Sequence, residues 1–98
     1  DPQFAVLSRF KDDYENKKKI GKTGAHSGYA WDAMQLLALG LKKSNGQGGL
    51  ALAKAIEGVK GYVGVSGVYT MSAQDHCGLA VDSMVMAQVK NGKWTLIK

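Results

Sequence analysis

Three stretches of the chain hold residues whose types could do chemistry. Asp75, His76 and Cys77 are consecutive, and a carboxylate, an imidazole and a thiol are the parts of a nucleophile-and-base arrangement. Such a site works only when the three groups converge in space, whereas consecutive residues in a turn point apart. The simpler reading is a turn in which Asp75 and His76 bond nearby backbone and Cys77 is incidental. A small hydrolase built on Cys77 would instead show thiol-dependent turnover that Cys77→Ala abolishes.

His26 is the second candidate, standing with Ala25, Ser27 and Tyr29 where a helix begins. Free N–H groups and the macrodipole make a helix N-terminus a natural place for a carboxylate. The competing reading is a surface or loop histidine. Gly46, Gly48 and Gly49 form the third stretch, but no strand precedes them and no Gly-Lys-Ser/Thr follows, so a helix connection is expected rather than a phosphate loop. His26, His76, Cys77 and Asp75 show no zinc-like spacing, and no metal or cofactor is expected.

Composition narrows the classes further. Ninety-eight residues with 45% hydrophobic content fit one domain or part of one. A chain of this size buries roughly 60 to 65% of the surface its unfolded form exposes, so alone it should be marginally stable. The single cysteine excludes an internal disulfide. Thirteen Lys and Arg against eight Asp and Glu give a net charge of +5, with much of the excess in Lys17, Lys18, Lys19 and Lys22. A lysine run closing a helix is stabilised by the macrodipole and normally solvated. No stretch reaches the roughly 20 apolar residues that span a bilayer. The first residue is Asp1 rather than Met, and the expectation is a chain cut from something longer.

The elements that would position these groups emerge from the hydrophobic pattern. Asp1 and Pro2 read as an N-cap and first helical residue, with Phe4, Leu7, Phe10 and Tyr14 forming an apolar face. A second helix opens at His26 or Ser27 and runs to about Lys43. It is apolar almost all round, so it should be buried on more than one side, by a sheet not present here or by a second copy of the chain. Trp31 and Met34 are expected in the core. Asp32, a bare charge in that helix, should sit at an exposed edge or pair with a hydroxyl, a backbone N–H or a cation. A third helix covers Leu50 to about Gly58. Tyr62 to Met71 reads as one short, twisted strand, Ser72 to Gly78 as a loop, and Ser83 to Val89 as a strand turning through Asn91-Gly92 to Trp94–Ile97. The fold class is α/β, mixed α+β within this chain: about three helices, a strand and a C-terminal hairpin.

Four motifs in this order resemble the ends of branched-chain amino acid solute-binding proteins, the type I periplasmic binding family of ABC importers. They are Tyr29-Ala30-Trp31-Asp32-Ala33-Met34-Gln35-Leu36-Leu37, Glu57-Gly58-Val59 leading into Tyr62 to Ser72, Asp75-His76-Cys77-Gly78-Leu79, and Val89-Lys90-Asn91-Gly92-Lys93-Trp94. The resemblance spans nearly the whole chain. It implies a bilobed receptor of which residues 1–82 supply mostly first-lobe elements and 83–98 a terminal hairpin near the inter-lobe crossovers. It implies a periplasmic, non-enzymatic protein that binds an amino acid-like solute by cleft closure and delivers it to a membrane permease. Branched-chain amino acids, amides and small aromatic acids are the solute classes it leaves open. By the same alignment His26 falls where relatives carry an aromatic residue lining the solute pocket, with Ala25, Ser27 and Tyr29 beside it. The resemblance also implies that this chain lacks most of the cleft and is not competent alone.

Two further expectations stand beside it. An autonomous basic domain would bind nucleic acid or a protein partner, with a salt dependence that loss of Lys17, Lys18, Lys19 and Lys22 flattens. Against it, no aromatic residues interleave with the lysines, and no nucleic-acid partner is expected. If the chain folds alone, its second helix predicts a homodimer, formed by exchange of elements between two copies.

Overall fold

The computed structural model describes all 98 residues. Helix α1 covers Pro2–Lys11, α2 Ala25–Lys43 and α3 Gly49–Glu57; β1 (Tyr62–Val63) pairs antiparallel with β2 (Val68–Tyr69), and β3 (Ala87–Lys90) with β4 (Lys93–Leu96). The mixed α/β class expected from the sequence is the one observed. No helix is long and apolar enough to cross a membrane.

Helix α1 begins as its residue types dictate. The Asp1 carboxylate accepts from the Gln3 amide at 2.9 Å, and Pro2, which has no N–H to leave unpaired, stands next to it. The only buried side chain of α1 is Phe10, whose ring lies 5.3 Å from Trp31 and 5.6 Å from Tyr14. Beyond Lys11 the helix widens into a π-turn over Asp12–Lys17 that the sequence pattern does not foretell, and the Lys18 amide reaches back to the Asp13 carbonyl at 2.9 Å. Lys17 bonds the Asp13 carboxylate at 2.8 Å and lies 3.1 Å from that of Asp12, so part of the lysine run is neutralised locally.

Helix α2 starts at Ala25, one or two residues earlier than the expected opening at His26 or Ser27, with Gly24 as its cap. The Ser27 hydroxyl folds back, accepting from the Gly24 amide at 2.9 Å and donating to the Gly24 carbonyl at 2.7 Å. One face of α2 is buried, at Gly28, Asp32, Leu36 and Gly40. Helix α3 crosses it at Gly40: a methyl group there would stand 2.6 Å from Ile56 Cγ1 and 3.0 Å from Leu52 Cδ1, so the absence of a side chain permits the approach.

The core is small. Leu36, Val59, Tyr69 and Met71 are buried together, flanked by Leu39, Ile56, Tyr62 and Leu79. Met71 is held by its amide to the Val59 carbonyl at 2.8 Å, and Leu79 is bridged to Tyr69. Within this chain α2 is not covered all round: Tyr29 is exposed, and Met34, expected in the core, is 63% exposed. Trp31 is half-buried against Phe10.

Two strand expectations are corrected. The single strand expected from Tyr62 to Met71 is a hairpin of two-residue strands, because Gly64 and Gly67 turn the chain, the Gly64 amide bonding the Gly67 carbonyl at 2.8 Å. The strand expected from Ser83 begins only at Ala87, preceded by a 3-10 turn at Val81–Ser83. The final turn is as the Asn-Gly pair requires, with φ of 51° at Asn91 and 73° at Gly92.

Candidate functional site

Asp32 organises the region around the α2 N-terminus. Its carboxylate, 1% exposed, accepts from the Val65 amide at 2.8 Å, the Ser66 amide at 2.9 Å and the Tyr69 hydroxyl at 3.0 Å. Of the two expectations for this residue, pairing with backbone N–H and hydroxyl is realised and the exposed edge is not. The bonds hold the β1–β2 turn against α2. Gly28 and Gly64 make room for it: a methyl group on Gly64 would lie 2.8 Å from Asp32 Oδ2, and one on Gly28 3.2 Å from Val65 Cγ1. Burial and the Asp32 carboxylate push the Tyr69 phenol up to about 12.

Beside this clasp opens a cavity of about 380 Å³. Thr23, Gly24, Ala25, Gly28 and Tyr29 form one wall, Val65 and Ser66 another, and Leu7 and Phe10 of α1 the floor. Thr23 is fixed by Glu15, whose carboxylate accepts from both its amide and its hydroxyl at 2.9 Å. Those two bonds, the backbone one first, hold the Glu15 carboxyl below its ordinary range. The amides of Ala25, His26 and Ser27 precede the first intrahelical bond, from the Gly28 amide to the Gly24 carbonyl at 3.1 Å. The site therefore offers free donors, one hydroxyl-bearing turn and an apolar floor, a combination suited to a small solute with an anionic or polar end.

The four candidate residues at this helix start have different placements. Ala25 and Tyr29 line the cavity. His26 does not; it packs edge-on against Tyr29, ring centroids 6.1 Å apart. The Ser27 side chain is spent on the Gly24 cap. Thr23, Gly28, Val65 and Ser66 also line the cavity, although no local motif marks them as site residues. The signal for Val65 and Ser66 is Asp32, since a buried carboxylate needs donors and the Gly64–Gly67 turn is where free amides occur.

A second groove, about 600 Å³, lies between the π-turn and α2, with Phe10, Tyr14, Trp31 and Met34 along it. It is the larger of the two; of its polar side chains Asp13 is engaged by Lys17 and Arg9, and Ser27 by Gly24. The smaller cavity, which opens at the α2 N-terminus, is the better candidate for a solute with an anionic end.

Asp75, His76 and Cys77 do not form a catalytic group. Asp75 accepts from the Cys77 amide at 2.9 Å and the Gly78 amide at 3.1 Å, closing the turn, and His76 Nε2 pairs with Glu57 at 3.0 Å. Bonds from the Gly78 and then the Cys77 amide hold the Asp75 carboxyl below its usual value. Cys77 is exposed and free. No group of three or more His, Cys, Asp or Glu side chains is placed to hold a metal.

No family model and no curated protein matches the chain. A solved structure of an extracellular ligand-binding receptor from Rhodopseudomonas palustris does, with a TM-score of 0.70 and 26% identity over 87% of this chain. The chain spans 26% of that receptor's length. Three helices and two small antiparallel sheets thus match a segment of an extracellular ligand-binding receptor fold.

Proposed function

We propose that this chain contributes to the solute-binding component of an ABC importer in the periplasm, recognising branched-chain amino acids or related amides and small aromatic acids for delivery to a membrane permease. The observation that carries the reading is the likeness, at a TM-score of 0.70, to an extracellular ligand-binding receptor. The cavity at the α2 N-terminus supports it. A carboxylate seated there would meet the helix start at Gly24 and Ala25 and the wall at Ser66, while an aliphatic or aromatic body would rest on Leu7, Phe10 and Tyr29. Recognition would be by enclosure, since a receptor releases its solute unchanged.

In this reading residues 1–82 belong mostly to the first lobe and 83–98 to a hairpin near the inter-lobe crossovers, with the facing lobe supplied by further polypeptide. A cavity with one side open then needs that lobe to close. The likeness to a ligand-binding receptor gives the nucleic-acid alternative no support, and within the lysine run Lys17 is paired with Asp12 and Asp13.

The experiment is calorimetric titration of the full-length gene product with leucine, isoleucine, valine, short amides and benzoate. Saturable one-to-one binding of any of these supports the reading; salt-sensitive DNA binding with no solute binding overturns it.

A further inference from the structure

We propose that Glu15 is a positioning residue for the candidate solute cavity: it does not line the cavity, but its carboxylate holds the wall from Thr23 to Ala25 in the place a solute needs. The proposal rests on the solute-receptor reading of that cavity and adds to it a residue that acts through another. Glu15 Oε1 accepts from both the Thr23 amide and the Thr23 hydroxyl, each at 2.9 Å. Thr23, Gly24 and Ala25 are consecutive in the wall, and Glu15 is not among the lining residues.

No other bond holds this stretch. Residues 18–24 belong to no helix or strand. The Ile20 amide returns to the Tyr14 carbonyl at 3.0 Å, and Gly24 is bonded forward into α2 through Ser27 and Gly28. Between those points, over residues 21–23, the two bonds to Glu15 are the only hydrogen bonds. Packing does not fix the segment either, since a methyl group on Gly21, at φ 142°, would meet nothing within 4 Å. A loose wall would have to be ordered as the solute binds, and that cost lowers affinity.

The π-turn accounts for the reach of Glu15. Over Asp12–Lys17 the wider turn redirects side chains relative to a continued α-helix. Asn16 bonds Asp12 at 2.9 Å and Lys17 bonds Asp13 at 2.8 Å, both within the turn, whereas Glu15 alone carries side-chain hydrogen bonds beyond α1 and the turn. At the other end of α1, Gln3 Nε2 donates to the Val65 carbonyl at 3.2 Å. The helix that floors the cavity is therefore tied to one wall at its start and, through the π-turn, to the other at its end. Both bonds from Thr23 end on one oxygen, so a neutral amide oxygen can take the same place, though with weaker bonds than a carboxylate.

The test uses the full-length gene product as wild type, Glu15→Ala, Glu15→Gln and Glu15→Asp, the last keeping the charge on a side chain one methylene shorter. Two quantities are read: hydrogen exchange at the Thr23 amide without solute, and calorimetric affinity for leucine, valine and benzoate. In Glu15→Ala, Thr23 protection should fall at least about tenfold and affinity for whichever solute the wild type binds about tenfold. Glu15→Gln should keep both within about threefold of wild type, and Glu15→Asp should follow Glu15→Ala, deciding in its place if that variant does not fold. Unchanged Thr23 exchange in Glu15→Ala overturns the proposal, as does unchanged affinity where that exchange is faster. Loss of affinity in Glu15→Gln with Thr23 still protected overturns it too, because the charge would then act on the solute directly. A wild type that binds none of these solutes contradicts the receptor reading instead, and Thr23 exchange alone then decides whether Glu15 holds the wall.

Discussion

The Tyr69 hydroxyl donates to Asp32 Oδ2 at 3.0 Å, joining a helix to a hairpin 37 residues later, and the same carboxylate takes the Val65 and Ser66 amides. One buried side chain thereby fixes the turn that walls the candidate cavity. Removing it leaves three donors unpaired in a small core. Asp32→Ala should therefore lower stability by about 3 kcal/mol or more, read as a fall in the urea midpoint, and hydrogen exchange at the Val65 and Ser66 amides should accelerate. Unchanged exchange at those two amides would contradict the account.

The same bond gives a pH dependence. Tyr69 titrates at about 12 in the folded chain, because burial first and Asp32 second disfavour the phenolate, against 10.0 when unfolded. The folded state therefore holds the proton that the unfolded state releases. This contribution to stability is complete below pH 10 and is lost as pH rises towards about 12. Denaturation curves at about pH 9 and about pH 11.5, which bracket that window, should show a smaller loss in Tyr69→Phe than in wild type. Equal losses would mean that Tyr69 does not carry the effect.

Gly40 marks where α2 and α3 meet. An alanine in mid-helix ordinarily gains about 1 kcal/mol over glycine, but here its methyl group would stand 2.6 Å from Ile56 Cγ1. Gly40→Ala should cost about 1 to 2 kcal/mol net, and combining it with Ile56→Ala should cost less than the sum of the two single changes. A double-mutant cycle in urea reads that coupling directly.

Cys77 is exposed and bonded to nothing through its sulfur, its backbone amide alone serving the Asp75 turn. Cys77→Ser should shift stability by less than about 0.5 kcal/mol, and a thiol reagent should titrate one group per native chain at once. Asp75→Ala, which opens the turn, should cost more than Cys77→Ser. The reverse order would mean that the thiol has a role beyond its place in the turn.

Local chemistry makes much of the fold legible. Asp1 and Pro2 announce α1, Asn91-Gly92 announces the last turn, and the helical spacing of Leu50, Ala53 and Ile56 announces α3, because each signal acts within a few residues. Expectation and structure part where distant partners decide. Tyr62 to Met71 has the composition of one strand, but the chain must turn at Gly64 to deliver the Val65 and Ser66 amides to Asp32, a residue more than 30 positions earlier. The π-turn after Lys11 has no local signal either, since Asp12–Lys17 has ordinary helical composition and the turn is tied down from outside, by Thr23 on Glu15. At the site, the helix start is readable and Ala25 and Tyr29 line the cavity, whereas Thr23 and Ser66 reach it only through tertiary contacts.

The solute-receptor reading rests most directly on one measurement, calorimetric titration of the full-length gene product with leucine, valine and benzoate, repeated on Tyr29→Ala and His26→Ala. One-to-one binding tighter than about 100 µM, weakened at least tenfold by Tyr29→Ala, which removes cavity wall, and less by His26→Ala, which removes only the ring packed on Tyr29, is the predicted result. A full-length protein that binds none of these solutes, or binds one with an affinity that Tyr29→Ala leaves unchanged, would contradict the account.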